Sequence, residues 1–152
     1  MPTAKSSASI IVRMAKVVEI VLEGAGLTPN QYRMLTLIEA GAPPMRELSV
    51  RLVMKGPNIS TLIDGLVERG LVARARNTDD RRRQVLTLRT AGRRALRDAD
   101  RRCARALDRL AAMHPSGGRD LVSDLDEWLP ALDEVATQLR FDLLVGRSRR
   151  AS

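Results

Sequence analysis

The sequence predicts a mainly helical protein with one short β-hairpin, and three observations lead there. Aromatic residues make up only 2% of the chain, namely Tyr32, Trp128 and Phe141. The core must therefore be built from Leu, Ile, Val, Met and Ala, which favours packed helices over a sandwich or barrel. Apolar residues recur at helical spacing along most of the length. Between residues 71 and 88 the period changes to that of strands. A chain of 152 residues suits one domain with a proper core and a small extension.

Residues 10–22 place Ile10, Ile11, Met14, Val17, Val18, Val21 and Leu22 on one helical face, and Gly24-Ala25-Gly26 breaks the run. Thr28-Pro29-Asn30-Gln31 is a helix start: Thr28 caps, Pro29 takes the first helical position and Gln31 completes a capping box. That helix carries Leu35, Leu37 and Ile38 and ends near Gly41. Pro43-Pro44 opens a short helix around Met45, Leu48 and Leu52, followed by a turn at Lys55-Gly56-Pro57. Ile59, Leu62, Ile63 and Leu66 form the stripe of the next helix, which Gly70 ends. Residues 71–74 read as a strand, residues 84–88 as its partner, and the polar run 76–83 as the hairpin tip. Residues 91–112 form a long helix, with Cys103 on its apolar face. Pro115-Ser116-Gly117-Gly118 breaks it, and a last helical stretch carries Leu121 to Leu143, with Pro130 expected to kink or split it. The ends, roughly 1–6 and 146–152, read as disordered.

The formal net charge is +8 and the pI about 11.1, which points to a polyanionic partner. Charge is also segregated. Residues 69–109 hold fourteen basic against five acidic residues, and residues 110–145 hold two against seven. A phosphate-facing middle followed by an interaction element would produce that pattern. One cysteine and one histidine, His114, exclude an internal disulfide and any multi-Cys or multi-His metal centre. Carboxylates are plentiful, but none forms a recognisable constellation with His, Cys or a nucleophilic Ser, so neither an enzyme nor a cofactor is expected. No apolar run approaches membrane-spanning length and the N-terminus has no signal core, so a cytoplasmic location with no membrane partner is expected.

Two short helices, a tight turn and a basic hairpin are the parts of a winged helix-turn-helix. Here the sequence resembles the MarR family of bacterial regulators. The resemblance is carried by Leu27-Thr28-Pro29-Asn30-Gln31-Tyr32, by Arg46-Glu47-Leu48, by the run Ser60 to Val72, and by Asp80-Arg81-Arg82 followed by Leu88 and Gly92. It implies a winged helix-turn-helix flanked by N- and C-terminal dimerisation helices. The expected partition is 1–26 for the first dimerisation helix and 27–90 for the DNA-binding unit. Residues 91–145 would hold the connecting and C-terminal helices, and 146–152 a basic tail. Where the family often carries Arg, this chain has Thr61 and Gly65; where the family reads Leu-Thr, it has Leu88-Arg89-Thr90, which would shift the cap of the long helix by one.

The resemblance implies a homodimer that binds double-stranded DNA, with the helix near 57–69 in the major groove and the wing over the minor groove. The DNA-binding candidates are Lys55, Asn58, Ser60, Thr61, Arg74, Arg76, Asp80, Arg81, Arg82 and Arg83. Short polar side chains at a helix start can reach base edges, and adjacent arginines at a narrow tip suit phosphates and narrow minor grooves. The dimer candidates are Ile11, Met14, Val18, Leu125, Trp128, Leu132 and Leu139. Their apolar stripes lack another surface to cover them. A small-molecule effector is common in the family; Tyr32 and Arg33 are the candidates for its site. The expected function is a repressor on a pseudo-palindromic operator. The alternative is a non-specific architectural DNA binder.

Overall fold

The computed structural model describes residues 4–41, 43–76, 84–113, 125, 127–132 and 134–139. Five helices and one two-stranded antiparallel sheet follow in the order α1 (Ala4–Gly24), α2 (Pro29–Glu39), α3 (Met45–Arg51), α4 (Gly56–Glu68), β1 (Val72–Arg76), β2 (Gln84–Leu88) and α5 (Thr90–Met113). Strand register runs from Val72 opposite Leu88 to Arg76 opposite Gln84. The described residues beyond α5 are also helical. The mainly helical reading with a small β-wing holds.

Local chemistry explains most boundaries. Thr28 accepts the Gln31 N–H at 3.2 Å, and Gln31 Oε1 accepts the Thr28 N–H at 3.0 Å, the capping box read from the sequence. Helices α1 and α4 end by the same device. Leu27 N–H donates to Leu22 O and Gly26 N–H to Glu23 O at the first; Leu71 N–H donates to Leu66 O and Gly70 N–H to Val67 O at the second. Gly26 and Gly70 adopt φ of 73° and 69°, a left-handed conformation that glycine takes without strain. Each turn folds a leucine, Leu27 or Leu71, back beside the leucine whose carbonyl it binds, and all four leucines are buried.

Four boundaries differ from expectation. Helix α1 begins at Ala4, so residues 4–6 are helical rather than irregular. Strand β1 continues to Arg76. The turn of the helix-turn-helix runs through Leu52, Val53, Met54 and Lys55 and contains no glycine; Gly56 is already the first residue of α4. Arg89, whose carbonyl accepts the Arg93 N–H, takes the cap position of α5, so the cap does not move to Thr90. Pro130 lies inside the helical run 127–132. The expected breaks at 115–118, the loop around His114 and the basic tail lie outside the described residues.

One core joins all the labelled elements. Leu22 of α1, Met34, Leu35 and Ile38 of α2, Leu48 of α3 and Ile59, Ile63 and Leu66 of α4 pack with Val72, Leu86, Leu88, Leu96 and Ala99. Each fully buried Leu or Ile side chain contributes about 1.5–3 kcal/mol. Cys103 is half-buried against this core, and burial pushes its thiol above the ordinary value, which suits a packing residue better than a reactive one. No helix among the described residues is long and apolar enough to cross a membrane.

Candidate nucleic-acid interface

Helix α4 is divided lengthwise. Ile59, Ile63 and Leu66 are buried, which turns Asn58, Ser60 and Thr61 outward, and all three are exposed. Lys55 precedes the helix, also exposed, in extended conformation (ψ 151°). The start of α4 thus presents one cation and three short polar side chains on a rigid support. Thr61 Oγ1 donates to Pro57 O at 3.1 Å. With its proton committed to the helix, the oxygen faces outward as an acceptor, able to take a hydrogen bond from adenine N6 or cytosine N4. At Gly65 a Cβ would meet open space, so the outer face of α4 is shallow there.

The wing is built on α4. Arg74 of β1 pairs with Asp64 of α4 at 2.6 Å, and the pair ties the strand to the recognition-helix candidate. Arg74 keeps only 33% of its side-chain exposure, so the structure gives it an internal partner as well as a surface. Arg76 ends β1 at the base of the hairpin tip. Asp80, Arg81, Arg82 and Arg83 lie outside the described residues.

Three further side chains brace the unit. Arg33 donates to Arg51 O at 2.6 Å and to Leu52 O at 3.4 Å, satisfying carbonyls at the end of α3, where a cation is favoured. Tyr32 donates to Asp100 Oδ1 at 2.7 Å and joins α2 to α5; burial and then that hydrogen bond push the phenol far above its ordinary value. The two effector candidates are thus both engaged inside the chain. Arg69, which the sequence reading did not single out, donates to Gly26 O at 2.7 Å and to Gln31 Oε1 at 3.1 Å, fastening the end of α4 to the α1–α2 corner. A basic residue just past the end of α4 was visible in the sequence; its partners were not.

The dimer candidates are uncovered in the single chain. Ile11 is 65% exposed and Trp128 62%, while Val18, Leu125, Leu132 and Leu139 are also exposed and Met14 is half-buried. Among the described residues no group of three or more His, Cys, Asp or Glu could hold a metal ion.

Comparison with known proteins agrees with this geometry. Residues 25–83 match the model of the MarR family. The chain is 32% identical over 88 residues to the uncharacterised HTH-type transcriptional regulator YhbI of Bacillus subtilis, a match covering 57% of each protein, so the chain spans little more than half of that relative's length. Among solved structures it is similar to the transcriptional repressor CouR bound to a 23-mer DNA duplex, at 29% identity and a TM-score of 0.67, covering 82% of this chain and 91% of that one. It is also similar to CouR of Rhodococcus jostii bound to p-coumaroyl-CoA, at 25% identity and a TM-score of 0.65, covering 83% and 87%. YhbI is described as a transcriptional regulator and CouR as a transcriptional repressor. Residues 25–83 thus resemble the MarR family, and the fold around them is similar to that of the DNA-bound repressor CouR.

Proposed function

We propose that the chain is a homodimeric, sequence-specific DNA-binding regulator that acts as a repressor on a pseudo-palindromic operator. The observation that carries this reading is the start of α4, where Lys55, Asn58, Ser60 and Thr61 stand clear of the core on a buried apolar support. Residues 27–90 form the DNA-reading unit. Asn58, Ser60 and Thr61 enter the major groove, and the wing from Arg74 to Arg83 lies over the adjacent minor groove. Residues near 7–23 and 119–145 supply the dimer contacts, because Ile11, Val18, Trp128, Leu132 and Leu139 are exposed in one chain. The similar structure of CouR on a DNA duplex supports the DNA contact. A second similar structure, carrying p-coumaroyl-CoA, supports release by a small-molecule effector.

The wing and the helix start fail differently when mutated. Arg81→Ala or Arg82→Ala removes a phosphate-facing charge, so affinity falls on all sequences and the salt slope shrinks by about 0.9 per contact. Asn58→Ala or Thr61→Ala removes no charge and relaxes discrimination at one or two base pairs by about 1–3 kcal/mol. Each variant is titrated at several salt concentrations against random DNA and against a duplex selected by the chain from a randomised pool. Equal losses on both DNAs for Asn58→Ala and Thr61→Ala would remove α4 from the major groove. A chain that selects no sequence at all is the architectural binder instead.

A further inference from the structure

Helix α5 carries arginines at a fixed step. Arg89, Arg93, Arg97, Arg101, Arg105 and Arg109 follow one another every fourth residue. Arg89 belongs to the series because its carbonyl accepts the Arg93 N–H at 3.0 Å and so continues the helical geometry. All six are exposed. At 3.6 residues and 5.4 Å per turn, a step of four advances about 6 Å along the axis and turns about 40° around it. Over the six arginines the ridge therefore winds about 200° around α5, and its middle four, Arg93, Arg97, Arg101 and Arg105, span about 120° on the outer side, opposite buried Gly92, Leu96 and Ala99.

The ridge is costly to the helix itself, because like charges four residues apart repel. Few carboxylates relieve it. From 89 to 109 there are eight arginines and three aspartates. Asp98 is shared between Arg101, at 3.1 Å, and Arg102, at 2.7 Å. Asp100 accepts from Tyr32. Among the described residues no carboxylate pairs with Arg93, Arg97 or Arg105; Arg105 donates instead to Arg101 O. Forked, permanently charged donors repeated along a line match the repeated phosphates of a nucleic-acid backbone.

Helices α4 and α5 both pack against α2 and one shared core, and the outer face of each points away from that core. The ridge begins at Arg89, whose N–H donates to Leu71 O just beyond the C-terminal end of α4. The groove-facing residues lie at the other end of that 13-residue helix, about 20 Å away. We infer that the outer ridge of α5 is a second, sequence-independent phosphate track that holds a separate DNA segment, so that the protein bridges two duplexes.

The test mixes the full chain at low salt with two random-sequence duplexes, one immobilised and one fluorescent. Wild type retains the fluorescent duplex. The R93Q/R97Q/R101Q/R105Q variant, in which Gln keeps helix propensity, loses that retention, and its salt slope falls by about three to four units. The variant with lysine at the same four positions keeps the charge and keeps retention. Asn58→Ala and Thr61→Ala retain the duplex as wild type does, so failure of the α4 reading leaves this test intact. Absence of bridging by wild type, or undiminished bridging by the glutamine variant, overturns the proposal. So does an unchanged salt slope with dissociation to monomer, which would assign the ridge to the acidic 110–145 segment of a second copy. Circular dichroism establishes that the glutamine variant is folded, which relief of the arginine repulsion favours.

Discussion

Gly92 of α5 lies directly against the carbonyl group of Leu71: a Cβ built on Gly92 would overlap the Leu71 oxygen and press on its carbonyl carbon. The same oxygen accepts the Arg89 N–H at 3.0 Å. One peptide group thus sets the distance between the end of α4, the base of the wing and the first turn of α5. Backbone cannot rotate aside as a flexible side chain can. Gly92→Ala should therefore destabilise the chain by about 1–3 kcal/mol, although alanine is the better helix former. Urea unfolding measures this, and an unchanged or raised midpoint would contradict the close approach.

Val53 carries the opposite lesson. It occupies the turn between α3 and α4 at φ 54°, with its N–H donating to Val50 O and the Met54 N–H donating to Ser49 O. This is the hydrogen-bond pattern that Gly26 and Gly70 complete at the ends of α1 and α4, but here a β-branched residue adopts it. Val53→Gly should stabilise the fold by about 1 kcal/mol, the strain relieved exceeding the added freedom of the unfolded chain. A lower urea midpoint for the glycine variant would refute the strain.

The phenol of Tyr32, the only tyrosine, is half-buried and bonded to Asp100. Its raised value means that the folded state holds the proton more tightly than the unfolded state. The corresponding stability is complete below the ordinary tyrosine range, near pH 10, and is lost as pH rises toward the folded value. Phenolate absorbance should appear only well above that range while the protein stays folded. Tyr32→Phe should cost about 1 kcal/mol at neutral pH and flatten the alkaline part of the stability profile. Ordinary titration of Tyr32 in the native protein would exclude this linkage.

Trp128, the only tryptophan, reports on assembly. It is exposed in the single chain, so dimerisation through the C-terminal helices should shift its emission to shorter wavelength as concentration rises. Leu132→Asp or Leu139→Asp should abolish the shift and halve the sedimenting mass, because each sets an unpaired charge in an apolar contact. A monomeric wild type that binds a palindrome tightly would refute the dimer.

Two-fold symmetry constrains the DNA as well. Half-sites should lie about one helical turn, roughly 10 bp, apart. Lengthening the spacer by half a turn should abolish tight binding, since the second α4 would then face the wrong side of the duplex. Indifference to the insertion would favour the architectural binder.

The elements were readable from the sequence because their signals are local. The capping box at Thr28 and Gln31 spans three residues, the stripe of Ile59, Ile63 and Leu66 spans two turns, and Gly26 and Gly70 act within their own turns. The outward direction of Asn58, Ser60 and Thr61 followed from that same stripe. What the chain does between elements was decided by tertiary packing. Tyr32 meets Asp100 across 68 residues, and Arg69 meets Gly26 across 43. Asp64 takes Arg74, a residue otherwise indistinguishable from its basic neighbours in the wing. No periodicity or propensity links such positions, because their contact depends on how whole helices dock. The left-handed turn at Val53 has the same origin: its own side chain opposes that conformation, and the packing of α3 and α4 on the shared core imposes it.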